Sequence, residues 1–510
     1  MHLSQRKLNM SPRRSLRNLA RYRTLLVYLV LFVIIALPLF GHLDELPIQV
    51  WDEMRNAENA LEMNRTGRVI ITTYDYLPEA WNTKPPLFIW ILAISFRLLG
   101  NTELALRLPS AIAAMFTCLL LLRFAKRHTG SWMPGILAVF ILVTIPGYVV
   151  PHGTRTGDYD ALLVLCSTAA AFWFFNYLED SRVRWLYLSA AALTAAVLTK
   201  GVAGLFVAPA MLAYALLQRK TMPMFRQRSF YICLLGFVIL VGGYYALREI
   251  QQPGYVHAVV INELGGRYNA LTPGINSSPA WGYFHVLFYT GFAPWAMLLV
   301  PAICAGWVVR WPRWRRVSLF CVLLAATVII ILSGATTRAW WYLMPIYPAL
   351  ALLCGMFITQ VMMLLSRWSA VRPMWRINFL LPAILLVTLL VPPYKNILER
   401  TIDDKSPKMD ADIHDAGVYL KEVNRGMRPL GGNVLCGRDP MPLRWYQEVI
   451  REKGQQLDVV SVDSLAVGAK VLAWDEETKA RIRQQYRQRE TEVFRNLTIY
   501  MIEGKVSDQQ

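Results

Sequence analysis

TRTGDYDALLVLCSTAAAFWFFNYLEDSRVR, the stretch from Thr154 to Arg184, decides the class of this protein. Residues 160–178 form an apolar run long enough to cross a bilayer, which takes about 20 residues as a helix. Arg155, Asp158 and Asp160 crowd one end of the run, and Glu179, Asp180, Arg182 and Arg184 follow the other. Charged groups where a span begins are costly unless they face a wet cavity, so the first end is marked for function.

Runs of this kind recur along the chain. Candidate spans lie near 24–40, 104–122, 133–150, 160–178, 185–199, 201–217, 230–247, 283–308, 317–333, 341–365 and 377–393, eleven in all. The composition agrees: 55% of the 510 residues are hydrophobic and 17% charged, against about 25% charged in a soluble domain. Mean hydropathy is +0.34. The apolar run Pro86–Leu99 is short for a span and suits a helix lying in the membrane interface.

The net charge of +19 raises the question of nucleic acid, and its distribution answers it. One set of alternate connections holds 23 of the 53 basic residues and two acids, Glu179 and Asp180, while the rest of the chain is close to neutral. By the positive-inside rule that set is cytoplasmic, which excludes a nucleic-acid footprint and places the N-terminus inside and the C-terminus outside. The first span has a basic leader without a small-residue cleavage site and reads as retained. The seven Cys show no CxxC or metal-like spacing.

The expected organisation is a basic cytoplasmic N-terminus (1–23), a transmembrane domain (24–393) and an extracytoplasmic α/β domain (394–510). The transmembrane domain carries two long outer loops, 42–103 and a Gly/Pro/Asn-rich, mobile-looking 248–282. In the last domain Asn433–Cys436, Val459–Val462, Lys470–Trp474 and Leu497–Ile502 read as strands, and Ile413–Val423 and Glu476–Arg489 as helices.

Chemistry-bearing residues gather on the outer side. A helix beginning at Asp52-Glu53 has Met54, Ala57 and Leu61 on one face and Asp52, Asn56 and Asn59 on another. Its carboxylates either cap the helix or supply a general base for a hydroxyl nucleophile. Lys84, before Pro85-Pro86, either snorkels or meets a lipid phosphate at that depth. Asp158 either caps the helix that follows or faces a cavity with Asp160. Lys200, Arg267 and Arg338 are cations on the side that disfavours them. Carboxylates from early loops and cations from later ones can converge on a lipid-linked phosphate.

Taken in order, these residues resemble the GT-C glycosyltransferases, specifically bacterial members similar to protein O-mannosyltransferases and to the aminoarabinose transferase of lipid A. The likeness is carried by Asp52-Glu53, Lys84-Pro85-Pro86, Ala105-Leu106-Arg107-Leu108-Pro109-Ser110 and Gly157-Asp158-Tyr159-Asp160-Ala161-Leu162. It continues through Leu198-Thr199-Lys200-Gly201, Gly291-Phe292-Ala293-Pro294-Trp295 and Tyr342-Leu343-Met344-Pro345-Ile346-Tyr347-Pro348, covering most of 45–355. It departs at Thr83, where many relatives have Glu, and it lacks the β-trefoil insert of the eukaryotic enzymes.

The resemblance implies inverting transfer of a monosaccharide from a polyprenyl-phosphate donor to an envelope acceptor (lipopolysaccharide, another glycan or a protein) on the outer face of a bacterial inner membrane. Asp52, Glu53 and Asp158 would be catalytic, with Asp52 as the base. Lys84, Lys200, Arg267, Arg338 and Tyr342 would bind the donor phosphate or substrate, and Asp160 would add an acidic group to the cavity. The resemblance fixes no cofactor, and Asp52, Asp158 and Asp160 offer oxygens to a divalent metal. A flippase for the lipid-linked sugar and an oligosaccharide ligase or polymerase are the alternatives. Transporters, however, place polar groups at the midplane, whereas here they lie at the outer ends of spans.

Overall fold

The computed structural model describes residues 29–48, 52–80, 82–150, 152–265, 279, 281–371, 380–403, 411–438, 440 and 443–506. Arg267 lies outside them. A helical bundle begins with α1 (Leu29–Phe40). There follow α2 (Asp52–Thr66), a hairpin of β1 (Thr73–Tyr74) and β2 (Leu77–Pro78), α3 (Leu87–Leu99), α4 (Glu103–Thr129) and α5 (Met133–Val143). The bundle continues with α6 (Tyr159–Asp180), α7 (Val183–Leu205), α8 (Ala208–Leu217) and α9 (Arg228–Gln251). Next come α10 (Gly282–Gly291) and α11 (Trp295–Val308), bent by 114° to each other, then α12 (Pro312–Ser333), α13 (Trp340–Arg367) and α14 (Leu380–Leu398).

Sequence chemistry sets α4, the helix on which one end of the bundle is built. Thr102 caps it by accepting the Ala105 N–H at 3.2 Å, as an N-cap threonine does. Gly130 ends it at φ 75°, a left-handed conformation that glycine takes without penalty. Lys126, Arg127 and His128 occupy its last turn, where cations suit the macrodipole. Gly157, just before α6, lies so close to α4 that a Cβ there would stand 2.6 Å from Leu106. The core of the bundle is aromatic and aliphatic, with Phe124 of α4 stacked on Phe172 of α6 at 3.8 Å.

Six described helices are long and apolar enough to span a membrane (α4, α6, α7, α9, α12 and α13), or seven if the bent α10–α11 pair is one span. Eleven long spans are therefore not present among the described residues. The run expected at 133–150 breaks at Thr144–Ile145 before Pro146, whose ring lacks the N–H to continue a helix. That at 201–217 opens with a 3-10 turn from Gly201 (φ 56°), and α1 and α8 are short. α3 is short as well, which fits the expectation that it does not span. α14 runs through Pro392-Pro393 to Leu398, beyond the expected end of the last span.

The C-terminal segment forms a mixed five-stranded sheet in the order β4-β3-β5-β7-β6, from β3 (Val434–Cys436), β4 (Asp458–Val459), β5 (Lys470–Ala473), β6 (Tyr486–Phe494) and β7 (Leu497–Lys505). It is accompanied by α15 (Ala411–Asn424), α16 (Arg444–Glu452) and α17 (Glu476–Gln485). The helix expected over Glu476–Arg489 stops at Gln485, and the residues beyond it pair antiparallel with β7. Trp445 and Tyr446 of α16 enter one apolar cluster with Phe88, Leu92 and Phe96 of α3 and with α2.

Candidate active site

α2 starts at Asp52, and both of the faces read from the sequence are buried: Met54, Ala57 and Leu61 as well as Asn56 and Asn59. The helix lies enclosed between the bundle and the C-terminal segment, not on an open surface. Asn56 donates to the Gly157 carbonyl at 2.9 Å, and Glu53 accepts the Gly157 N–H at 2.9 Å. The start of α2 is thereby tied to the loop that delivers Asp158. One carboxylate oxygen each from Asp52 and Asp158 and a ring nitrogen of His152 lie within 4.8 Å of one another.

Asp158 occupies the N-cap position of α6, yet its carboxylate does not cap the helix. It accepts from the Thr156 hydroxyl at 2.7 Å and faces His152 Nδ1 at 3.5 Å. Its Oδ1 is buried without a hydrogen-bond partner among the described residues. Burial, and then the neighbouring Asp52, push its carboxyl above the usual range. Burial alone would lower the His152 imidazole, but its hydrogen bond to Asp158 and the charges of Asp158, Asp52 and Asp160 hold it up at about 9. His152 sits at φ 61°, rare for a non-glycine residue, and stacks on Trp341 at 4.2 Å.

The other end of this cluster is cationic. Lys200, where the α-helical part of α7 ends, donates to both oxygens of Asp160 at 2.6 Å. Its ammonium stands 5.6 Å from the Tyr342 ring. Lys84 lies 5.3 Å from the ring of Tyr159, whose hydroxyl accepts from Asn82 at 2.9 Å. The loop carrying Lys84 is pinned from 248–265: Tyr255 donates to the Thr83 carbonyl at 2.7 Å and Asn262 to that of Ala80 at 3.0 Å. The described part of this expected mobile loop is thus helical and docked.

Asp52, Asp158, Asp160, Lys200, Tyr342 and, through Tyr159, Lys84 are brought to one end of the bundle. Arg338 is four residues from Tyr342 and donates to the Ser333 carbonyl at 3.3 Å. Glu53, expected to be catalytic, is 1% exposed and, besides accepting the Gly157 N–H, forms a two-pronged pair with Arg107 at 2.7 and 3.0 Å. Asp160 likewise gives both oxygens to Lys200. Among the described residues, the donors close enough together to share a divalent ion are those of Asp52, His152 and Asp158, two oxygens and a nitrogen.

Sequence reasoning missed His152. Its signal was a histidine six residues before Asp158, outside any span, in a chain with seven. It also missed Arg248, which is fully buried and secures the loop after α2 by donating to the Ile70 carbonyl at 2.6 Å and the Thr72 hydroxyl at 3.2 Å.

With this geometry the molecule has the GT-C membrane fold, and the likeness read from its motifs holds in sequence and in structure. Residues 83–244 match the family described as dolichyl-phosphate-mannose-protein mannosyltransferase. An undecaprenyl phosphate-alpha-4-amino-4-deoxy-L-arabinose arabinosyl transferase of Aeromonas hydrophila is 28% identical over 333 residues, 62% of this chain and 58% of that protein. An uncharacterized Aquifex aeolicus protein is 26% identical over 314 residues, 61% of this chain and 60% of that one. The chain thus matches about three fifths of the length of these curated relatives. ArnT from Cupriavidus metallidurans, solved bound to undecaprenyl phosphate, superposes with TM-score 0.65 at 18% identity, over 93% of this chain and 97% of that one. The Archaeoglobus fulgidus oligosaccharyltransferase gives 0.54 at 12% identity, over 86% and 65%. At these identities the two structures establish the shared fold.

Proposed function

We propose that this chain is an inverting, integral-membrane glycosyltransferase that moves a monosaccharide from a polyprenyl-phosphate donor to a hydroxyl of an envelope acceptor. The observation that carries the reading is the meeting of Asp52 and Asp158 at one end of the bundle, with Lys200 and Lys84 in the same region, in a fold shared with a protein solved bound to undecaprenyl phosphate. The names of the Aeromonas relative and of the matching family point to the same class of donor.

Displacement at an anomeric carbon needs a nucleophile relieved of its proton and a leaving group whose growing charge is met. Asp52 takes the proton of the acceptor hydroxyl, or orients it, as the oxygen attacks. The C–O bond to the phosphate breaks on the opposite face, and the lysines, with Arg267 and Arg338 of the later loops, hold the departing polyprenyl phosphate. His152 faces Asp158 at 3.5 Å and holds it in place beside Asp52. A single base suffices for inversion, in contrast to the pair of carboxyl groups in retaining glycosidases. A divalent ion, if bound, would lie on Asp52, His152 and Asp158 and add Lewis-acid charge there.

In this reading the chain crosses a bacterial inner membrane eleven times, the shorter and bent helices included. Its N-terminus is cytoplasmic and the C-terminal sheet stands over the site outside. The test is mass spectrometry of lipids and envelope glycans from a host lacking its own copy and expressing the wild type or Asp52→Asn. The expected result is a polyprenyl-phosphate monosaccharide accumulating in the mutant while one acceptor loses that sugar. Identical profiles, with both proteins present in the membrane, would refute it.

A further inference from the structure

At the other end of the bundle is a feature that the transfer reaction does not use. A groove of about 780 Å³ opens between α4, α6 and α7, within the roughly 300–1,000 Å³ of ligand pockets. Its length is apolar, walled by Phe116, Leu119, Trp173 and Leu188, and Arg123, Arg127 and Trp185 line it as well. Arg123 lies sixteen residues beyond Arg107 on α4, about 24 Å at about 1.5 Å per residue. That separation approaches the roughly 30 Å of a hydrocarbon core.

Three donors are found there. Arg123 is exposed and makes no hydrogen bond or ion pair with a described residue. Arg127 pairs with Asp180 and lies 5.0 Å from the ring of Trp185. The Trp185 indole Nε1 is buried without a hydrogen-bond partner among the described residues, a costly state for an N–H unless an acceptor arrives. Lys126, Arg182 and Arg184 add positive charge, while the nearby acids are engaged: Asp180 by Arg127 and Glu179 by Arg316 at 2.9 Å.

We propose that this groove binds an anionic glycerophospholipid of the inner leaflet, its phosphate on Arg123 and the Trp185 N–H and an acyl chain along Phe116 and Leu119. Charge selects the occupant. An excess of cations beside an enclosed donor favours a headgroup with net negative charge over a zwitterionic one, and the apolar length suits a chain. The inference rests on the membrane reading of the bundle and is independent of the reaction at Asp52.

The experiment is native mass spectrometry of the full chain in detergent, titrated with phosphatidylglycerol or with phosphatidylcholine of the same acyl chains. The wild type is expected to retain one phosphatidylglycerol at least several-fold more strongly than phosphatidylcholine. Arg123→Gln and Trp185→Phe should each remove most of that preference, and Asp52→Asn should leave it unchanged. Equal retention of the two lipids by the wild type would overturn the proposal, as would an undiminished preference in Trp185→Phe, which keeps the ring and loses only the N–H. If Arg123→Gln fails to fold, Trp185→Phe decides alone. Preferential displacement of the bound lipid by undecaprenyl phosphate would assign the groove to the isoprenoid instead and also overturn it.

Discussion

Adjacent carboxylates at Asp52 and Glu53 invite one role, and the proposed mechanism gives them two, which a pair of substitutions separates. Arg107 uses all five of its N–H groups: two to Glu53, one each to the Leu43 and Leu46 carbonyls at 2.7 and 2.9 Å, and one to the Pro47 carbonyl at 2.7 Å. In Glu53→Gln the shape is kept, but the charge goes and an amide NH2 is turned toward donors. Removing one partner of a buried pair costs about 3–5 kcal/mol, because the other charge is left uncompensated. Thermal melting of the purified protein in one detergent should therefore show a drop of several degrees. The fraction still folded should retain measurable transfer, since Asp52 is untouched. Asp52→Asn should do the opposite: melting close to wild type, and a rate about 10²–10⁴-fold lower, the usual worth of a general base. If Glu53→Gln melts with the wild type and is as inactive as Asp52→Asn, Glu53 acts on substrate and the division of roles is wrong.

Lys200 and Asp160 are a second buried pair, and either Lys200→Met or Asp160→Asn alone should destabilise by about 3–5 kcal/mol. The double variant should melt above both single ones, and a double-mutant cycle of melting measurements reads the coupling. Glu58 on α2 is raised to about 8, first by burial and then by the neighbouring Glu62. A carboxyl raised in this way favours the fold while protonated, fully below its unfolded value near 4.5, and that contribution is lost as the pH rises through about 8. Glu58→Gln should therefore flatten the fall in melting temperature between about pH 5 and 8, and an unchanged slope would refute the assignment. Chelation by EDTA is expected to leave transfer intact, because lysines supply the charge at the phosphate. A loss of activity restored by Mg²⁺ or Mn²⁺ would instead assign Asp52, His152 and Asp158 to a metal.

The sequence displayed what periodicity and charge encode. Long apolar runs such as 160–178 became helices because nothing inside them breaks the ladder, and Asp52, Asp158, Lys200 and Tyr342 met because each stands at or near the end of a helix. Partners distant along the chain were not legible. Glu53 read as half of an acidic pair because Arg107, its counter-ion, is 54 residues away. Asp160 read as a cavity acid until Lys200, forty residues on, took both its oxygens. At 486–489 the residues continued a helical pattern, and strand pairing with β7 decided their state instead, a choice that tertiary contact makes over local propensity. His152 was hidden for another reason: alone it carries no pattern, and its imidazole is held up by a hydrogen bond to Asp158 and by the charges of Asp158, Asp52 and Asp160, which only the fold brings to it.

The C-terminal segment bears on the chemistry through packing. Tyr446 donates to Glu103 at 2.8 Å and accepts the Ile48 N–H at 3.1 Å, so it joins the cap of α4 to the strand of chain that leads into Asp52. Arg65, at the far end of α2, is held by Glu448 and Glu452, and Trp445 packs on Phe96 at 6.2 Å. Helix α2 is thus clamped at its far end by α16, and its first residue is the proposed base. An error of about 1 Å in a reacting group can cost about a hundredfold in rate, so a segment with no residue in the site still bears on its geometry. The same clamp accounts for the burial of both faces of α2: a helix with Glu58 and Glu62 on a buried side holds its place only if a partner covers them, and the β1–β2 hairpin and α16 provide that cover. Arg444 pairs with Asp75 at 2.8 Å above the two acids, and its charge partly offsets the burial that raises Glu58.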